Sequence, residues 1–184
     1  SYSRERVQAF HLNAESAMRS TEFMSPPSRG FELLREAALS LAGDHPPIAG
    51  LLNPRQTSAL TYADSPLSTL GDAVGAGPFE GAPLADARLG DGSHLTDHLH
   101  RTGFTLFGFG AAAPRVQALA EACTLDAKSL PIRAVAVDDA AAAKAYGAAP
   151  GAVYLVRPDG HVAARWHAPS DTQVQAAWRS ACAH

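Results

Sequence analysis

The stretch Ala152–Trp166, AVYLVRPDGHVAARW, constrains the fold of this chain more than any other. Two apolar runs flank Pro158-Asp159-Gly160. Proline presets φ for a turn, aspartate can bond its own backbone, and glycine takes the positive φ that closes a hairpin. The pattern predicts antiparallel strands over Val153–Arg157 and His161–Trp166, with the turn centred on Asp159-Gly160. A helical segment follows at once over Ser170–Ala183, where Val174, Ala177, Trp178 and Ala181 share one face.

The totals then narrow what surrounds that unit. A chain of 184 residues suits one domain, or a domain of about 100 residues with an appendage. Its hydrophobic content of 46% supplies a real core. A net charge of −3 argues against nucleic acid, whose binders carry a basic face. No apolar run approaches the roughly 20 residues of a membrane helix, and the start SYSRERVQAF is too polar for a signal peptide. Cys123 and Cys182 are too few and too separated for a disulfide framework or a zinc site, and read as small residues on buried helix faces. These features describe a soluble protein of a reducing compartment, the cytoplasm, with no nucleic-acid and no membrane partner.

Composition separates two regions. Residues 1–52 read as helical. Val7, Phe10, Ala14 and Ala17 recur at spacings of three and four, and the stripe breaks at Met24-Ser25-Pro26-Pro27. Ser28 is placed to cap a second helix carrying Phe31, Leu34, Ala38 and Leu41, which ends before Asp44-His45-Pro46-Pro47. Residues 53–83, rich in Gly, Pro, Ser and Asp, read as a connector with a short extended piece at Ala59–Tyr62. Residues 84–184 alternate: a short strand Ala85–Leu89, a short helix at Leu95–Leu99, strand Phe104–Phe109, helix Val116–Cys123, strand Ile132–Val137, helix Asp138–Tyr146, then the hairpin and last helix. The β-α-β-α-β-β-α order predicts an α/β fold, a mixed sheet with flanking helices preceded by an α-helical N-terminal segment.

Several constellations invite a chemical reading. Gly108-Phe-Gly110-Ala-Ala-Ala113 fits G-x-G-x-x-A between strand and helix, with Asp138 and Asp139 ending the next strand, the outline of a dinucleotide fingerprint. Pro114 and Arg115 delay the helix, the acid lies further on than the usual ~20 residues, and a hairpin replaces further βα units, so a tight strand-to-helix turn is the preferred reading. His94, His98 and His100 could gather a metal with Asp91 and Asp97, but solvated or capping histidines are the simpler account. His161 and His167 read as exposed or edge-strand residues, and no G-x-S-x-G is present for a serine hydrolase. No catalytic, cofactor-binding or metal-binding residue is assigned.

A hairpin followed by a terminal helix is how the thioredoxin fold ends. In that fold the turn Gly110-Ala-Ala-Ala-Pro114 would hold the redox Cys-x-x-Cys, which is absent here, and Pro150 lies near the cis-proline position without matching its spacing. Three stretches carry a wider resemblance. They are Tyr2-Ser-Arg-Glu5-Arg6; Leu52-Asn-Pro-Arg-Gln56 through Tyr62-Ala-Asp-Ser-Pro66-Leu67; and Gly81-Ala-Pro83 through Leu89 with Phe104–Phe109 and Leu155-Val-Arg-Pro-Asp-Gly160-His-Val-Ala163. In this order they resemble the C-terminal region of FAD-dependent aromatic-ring hydroxylases of the phenol hydroxylase and hydroxyphenylpropionate hydroxylase group. The resemblance implies residues 1–52 as the end of the flavin-binding catalytic part, 53–83 as a connector, and 84–184 as a thioredoxin-like domain without Cys-x-x-Cys. It implies FAD and NADH or NADPH for a parent monooxygenase, but none bound by this portion, which lacks the G-x-G-x-x-G strand. The expected partners are the parent's flavin-binding domain and a second copy of the chain, in an accessory role of packing or dimerisation. Two alternatives stay open: a free-standing thioredoxin-like binding or redox module, and a small nucleotide-binding domain on Gly108–Ala113.

Overall fold

The computed structural model describes residues 2–52, 59–62, 64–72, 75, 77–112, 114–123, 130–148 and 151–182. The chain forms two compact units, Tyr2–Ala59 and Leu60–His184.

The first unit is helical. Helix α1 spans Tyr2–Met24 and α2 spans Arg29–Leu41. Ser28 stands at the N-cap of α2 in extended geometry, but its side chain makes no capping hydrogen bond; Arg29 and Glu32 pair at 2.7 Å in the first turn instead. A third helix, α3 (Pro46–Leu52), starts where the sequence pattern predicts only a stop. Prolines suit a first helical turn, since its amides have no intrahelical acceptor. The carbonyl of His45 accepts from Ile48 and Ala49 and opens the helix. The apolar stripe does not coincide with the buried line of α1: Ala9 and Ser20 are buried, while Val7 and Phe10 are exposed.

The second unit is built on four strands, β1 (Phe104–Phe109), β2 (Ile132–Val137), β3 (Ala152–Val156) and β4 (Val162–His167), in the order β2-β1-β3-β4. β1 pairs β2 in parallel from Phe104↔Ile132 to Phe109↔Val137 and pairs β3 antiparallel from Thr105↔Val156 to Gly108↔Val153. Together with α4 (Val116–Cys123), α5 (Ala140–Ala145) and α6 (Asp171–Cys182), this is the expected thioredoxin-like mixed sheet with flanking helices. All six residues of β1 are buried, as expected of a strand paired on both edges and covered on both faces.

Strand alternation sends side chains to two cores. On one face Phe104, Leu106, Val153, Leu155 and Trp166 meet Val116, Leu119 and Cys123 of α4 and Val174, Ala177 and Trp178 of α6. On the other, Phe107, Phe109, Tyr154, Val156 and Val162 meet Ala142 of α5, Tyr146 and Leu95. Phe109, Tyr146 and Tyr154 form a ring cluster with centroids 5.1–5.6 Å apart. Ser170 and Gln173 cap α6 reciprocally: Ser170 N donates to Gln173 Oε1 at 2.8 Å and Gln173 N to Ser170 Oγ at 3.3 Å.

The hairpin forms with a different centre from that expected. Gly160 N donates to Arg157 O, so Pro158 and Asp159 are the central residues and Gly160, at φ +84°, follows them. Further from the turn the register slips by one residue between Leu155 and Val156, a β-bulge that leaves Ala163 as the extra residue on β4.

Ala85–Leu89 is not a strand. Its backbone pairs locally, Leu89 N to Ser93 O and Leu95 N to Ala87 O, with isolated bridges Pro83↔His161 and Arg88↔His94, so it closes a small loop instead of extending the sheet. Leu95–His98 is a single 3₁₀ turn. Ala59–Tyr62 is no strand either, though Tyr62 N donates to Gly81 O. The described residues between Leu60 and Pro83, expected as a connector, lie within the second unit and run along β4: Thr69 N donates to Ala163 O, Gly81 N to Val162 O, and Val162 N to Ala82 O.

Candidate functional site

The strand-to-helix turn after β1 is where both chemical readings of the sequence converge. A Cβ on Gly108 would lie 2.9 Å from Val116 Cβ and 3.0 Å from the carbonyl oxygen of Ala112. Glycine is required there so that α4 can close on β1. The space that a pyrophosphate would need beside Gly108 is occupied by protein. Gly110 takes φ +54°, which turns the chain into the helix. Asp139, the candidate ribose ligand, is the N-cap of α5: its carboxylate accepts from Ala142 N and Gly90 N, both at 2.8 Å, and these bonds hold its pKa below the usual value. Asp138 is exposed. The G-x-G-x-x-A outline therefore arises from close packing and capping. Ala113 and Pro150 lie outside the described residues, as do Asn53–Gln56 and Ala183.

The three clustered histidines diverge. His94 caps the 3₁₀ turn, with its amide on Asp97 Oδ2 and its Nδ1 2.7 Å from Asp86 Oδ2. His98 Nε2 contacts Ser93 Oγ at 3.1 Å. The His100 amide donates to Thr105 Oγ1 at 2.8 Å. Asp91 bonds Ser93 rather than a histidine, and Asp86 also accepts from Thr96. Among the described residues no three His, Cys, Asp or Glu side chains could share a metal ion.

Cys123 is buried, with its Sγ 3.4 Å from Leu119 O, and burial pushes its thiol up to about 11. Cys182 is only half-buried, a departure from the expectation that both cysteines sit on buried faces. Its pKa is likewise raised by burial. His161 is not exposed: its ring lies 4.9 Å from that of Tyr62, and its Nε2 is 3.2 Å from Leu60 O. His167, at the end of β4, is exposed as expected.

The most elaborate polar arrangement is one that sequence reasoning misses. Arg165 of β4 donates through Nη1 to Gly75 O at 3.2 Å and Gly77 O at 3.1 Å, and its Nε lies 3.6 Å from Glu80 Oε2. Glu80 Oε1 accepts from Gly71 N at 3.1 Å. Burial raises the Tyr154 phenol, opposed by its bond to Arg165. A second buried arginine, Arg157, pairs with Asp159 at 2.5 Å. Only one signal points there: hairpin register puts Arg165 opposite Tyr154, on a buried face where a lone arginine needs partners. This geometry fastens a segment to a sheet; it assembles no nucleophile, acid–base pair or metal site.

Residues 77–184 match the family of aromatic-ring hydroxylase C-terminal domains, and the chain belongs to that family. The solved structures it resembles include RebC-10x with bound 7-carboxy-K252c, at 21% identity and TM-score 0.63, covering 92% of this chain and 33% of that one. The rebeccamycin biosynthetic enzyme RebC with reduced flavin aligns at 22% identity and TM-score 0.56, covering 95% and 33%. A ternary complex of aklavinone-11 hydroxylase with FAD and aklavinone aligns at 22% identity and TM-score 0.55, covering 82% and 34%. The chain thus spans about a third of the length of each, and at these identities the likeness is one of fold. Among the curated proteins none matches this chain. No helix among the described residues is long and apolar enough to cross a membrane.

Proposed function

We propose that this chain is the C-terminal accessory portion of a larger FAD-dependent, NAD(P)H-using aromatic monooxygenase, serving packing or dimerisation and containing no active site. The family match over 77–184 carries the reading. The turn after β1 supports it, because Val116 and Ala112 fill the approach to Gly108 and the redox position carries no thiol. The residues present do not fit FAD or a nicotinamide, so neither is assigned to this portion. Hydroxylation chemistry belongs to flavin held elsewhere in the parent. In this reading no catalytic, cofactor or metal role is assigned to any of the described residues. The division into 1–52 (the end of the flavin-binding part), 53–83 and 84–184 belongs to the same reading, as does a cytoplasmic location.

The parent's flavin-binding domain is the proposed partner of the N-terminal helices. Val7, Phe10 and Leu34 are 56%, 67% and 61% exposed. Leaving apolar surface in water costs about 25 cal/mol per Å², which favours a covering surface, either that domain or a second copy. Three measurements test the proposal. The coding sequence upstream of Tyr2 should encode a G-x-G-x-x-G strand, and a parent lacking it would overturn the reading. This chain alone should bind no FAD by calorimetry; micromolar binding contradicts an inactive portion. Light scattering should show self-association that is lost when the chain starts at Leu60, where the second unit begins, whereas two monomers of equal stability would remove the interface.

A further inference from the structure

Val7, Phe10, Ala14, Ala17, Thr21 and Met24 of α1 follow one another at alternating spacings of three and four. This is the pattern of a coiled-coil seam, and it runs along most of the helix, roughly 26 Å. The helix does not use this seam inside its own unit. Its buried line passes through Glu5, Ala9 and Ser20, about a third of a turn away. Val7, Phe10 and Met24 are 56%, 67% and 74% exposed, Ala17 and Thr21 are exposed, and Ala14 is half-buried. Thr21 is the one polar residue of the seam, and its Oγ1 donates to Ala17 O at 2.9 Å. Covering Thr21 therefore strands no hydroxyl and presents its methyl group.

Size and charge along the seam select its occupant. A second copy laid end for end sets Val7 against Met24, Phe10 against Thr21 and Ala14 against Ala17. The large ring then meets a small side chain, and the paired alanines let the two helices approach at the centre. A parallel copy would instead stack Phe10 on Phe10 and leave gaps at both alanines. Charge favours the same direction. The exposed Arg4 and Arg6 stand near the N-terminus of α1, the positive end of its dipole, while its last turn holds no basic residue. In an antiparallel pair these arginines lie beside the negative end of the neighbouring helix, close to its exposed Glu22.

We propose that α1 forms an antiparallel two-helix coil with α1 of a second copy, in the register that puts Phe10 opposite Thr21. The inference rests on the reading that a second copy covers the N-terminal helices, and it supplies the contact. The two-fold axis crosses α1 between Glu15 and Ser16, so every contact occurs twice. One helix pair buries less than the ~1,600 Å² of a standard interface, so the association is weak and depends on concentration.

The test is sedimentation velocity of the full chain over a range of concentrations, where the mass should rise to that of a dimer. Phe10→Lys and Thr21→Glu should each weaken association about tenfold, because each buries an unpaired charge in an apolar seam. An equimolar mixture of the two variants should associate more tightly than either alone. The lysine of one chain then faces the glutamate of the other, which a parallel pair does not allow. Both positions are exposed in the single chain, so circular dichroism should show unchanged helix content. A chain monomeric at every concentration overturns the pairing, yet an upstream G-x-G-x-x-G strand would still uphold the parent enzyme. Association indifferent to Phe10→Lys, or a mixture no tighter than its components, overturns this contact alone and leaves a second copy seated elsewhere.

Discussion

Arg165 and Glu80 are 85 positions apart in sequence, yet the Nε of one lies 3.6 Å from the Oε2 of the other, with side chains only 14% and 9% exposed. The pair holds Gly71, Gly75, Gly77 and Glu80 at the outer strand β4, because the arginine also bonds Gly75 and Gly77 and the glutamate bonds Gly71.

Removing one partner leaves the other charge buried and uncompensated. Arg165→Met should cost about 3 kcal/mol in urea unfolding. Adding Glu80→Met should recover part of that loss, so the double variant should be more stable than the sum of the single variants implies. Strict additivity would show that the two groups do not act together.

The same segment needs glycine at its closest approach. A Cβ on Gly71 would fall 1.8 Å from the carbonyl oxygen of Arg165, and one on Gly77 would fall 2.0 Å from that of Tyr146. Backbone cannot yield as a flexible side chain can. Gly71→Ala should therefore destabilise by about 2 kcal/mol or more, a large effect for one methyl group. Gly92→Ala, where space is open but φ is +88°, should show only the smaller cost of its conformation. Thermal melts of the two variants compare these costs.

Asp159 gives the fold an acid limit. Burial alone would raise its pKa, but the bond from His161 and the charge of Arg157 prevail and hold it at about 2. The unfolded carboxyl, with a pKa near 3.9, takes up its proton first as the pH falls. The stabilisation is therefore complete above about pH 4 and is lost between about 4 and 2. Since the carboxylate is half exposed, about 1 kcal/mol is expected after solvent screening. Asp159→Asn should lower stability at pH 6 and match the unsubstituted chain near pH 2, as read by urea titrations at both.

Cys123 should resist thiol reagents in the folded protein. It is buried, and a pKa of about 11 leaves little thiolate at neutral pH. Cys182, half-buried at the end of α6, should react first. Two reaction phases with Ellman's reagent are expected, the slower one following unfolding. Equal rates would contradict this burial.

Local chemistry alone makes most of the sheet legible in the sequence. Pro158-Asp159-Gly160 between apolar runs can hardly be anything but a hairpin turn, and the runs Phe104–Phe109 and Ile132–Val137 have the length and branching of strands. The helices α4 and α6 follow from apolar spacing, and the β-α-β-α-β-β-α order restricts the fold further. The absence of a Cys-x-x-Cys at the turn after β1 is equally plain.

Tertiary structure decided the rest, because those features depend on partners far away in the chain. Gly108 has the surroundings of a phosphate-binding glycine in sequence, but Val116 packs over it in the fold. Ala85–Leu89 has a strand-like composition, but its backbone found acceptors in its own loop. The prolines at 46 and 47 signal an end and form a beginning, since the amide they lack is one a first turn does not use. The residues before Pro83 are polar and glycine-rich like a linker; the backbone bonds of Thr69, Gly81 and Ala82 to β4, the Arg165–Glu80 pair and the close backbone approaches at Gly71 and Gly77 make part of them structure. Sequence periodicity records which face of an element is apolar. Which groups across the chain will satisfy its polar atoms is fixed only when the sheet brings them together.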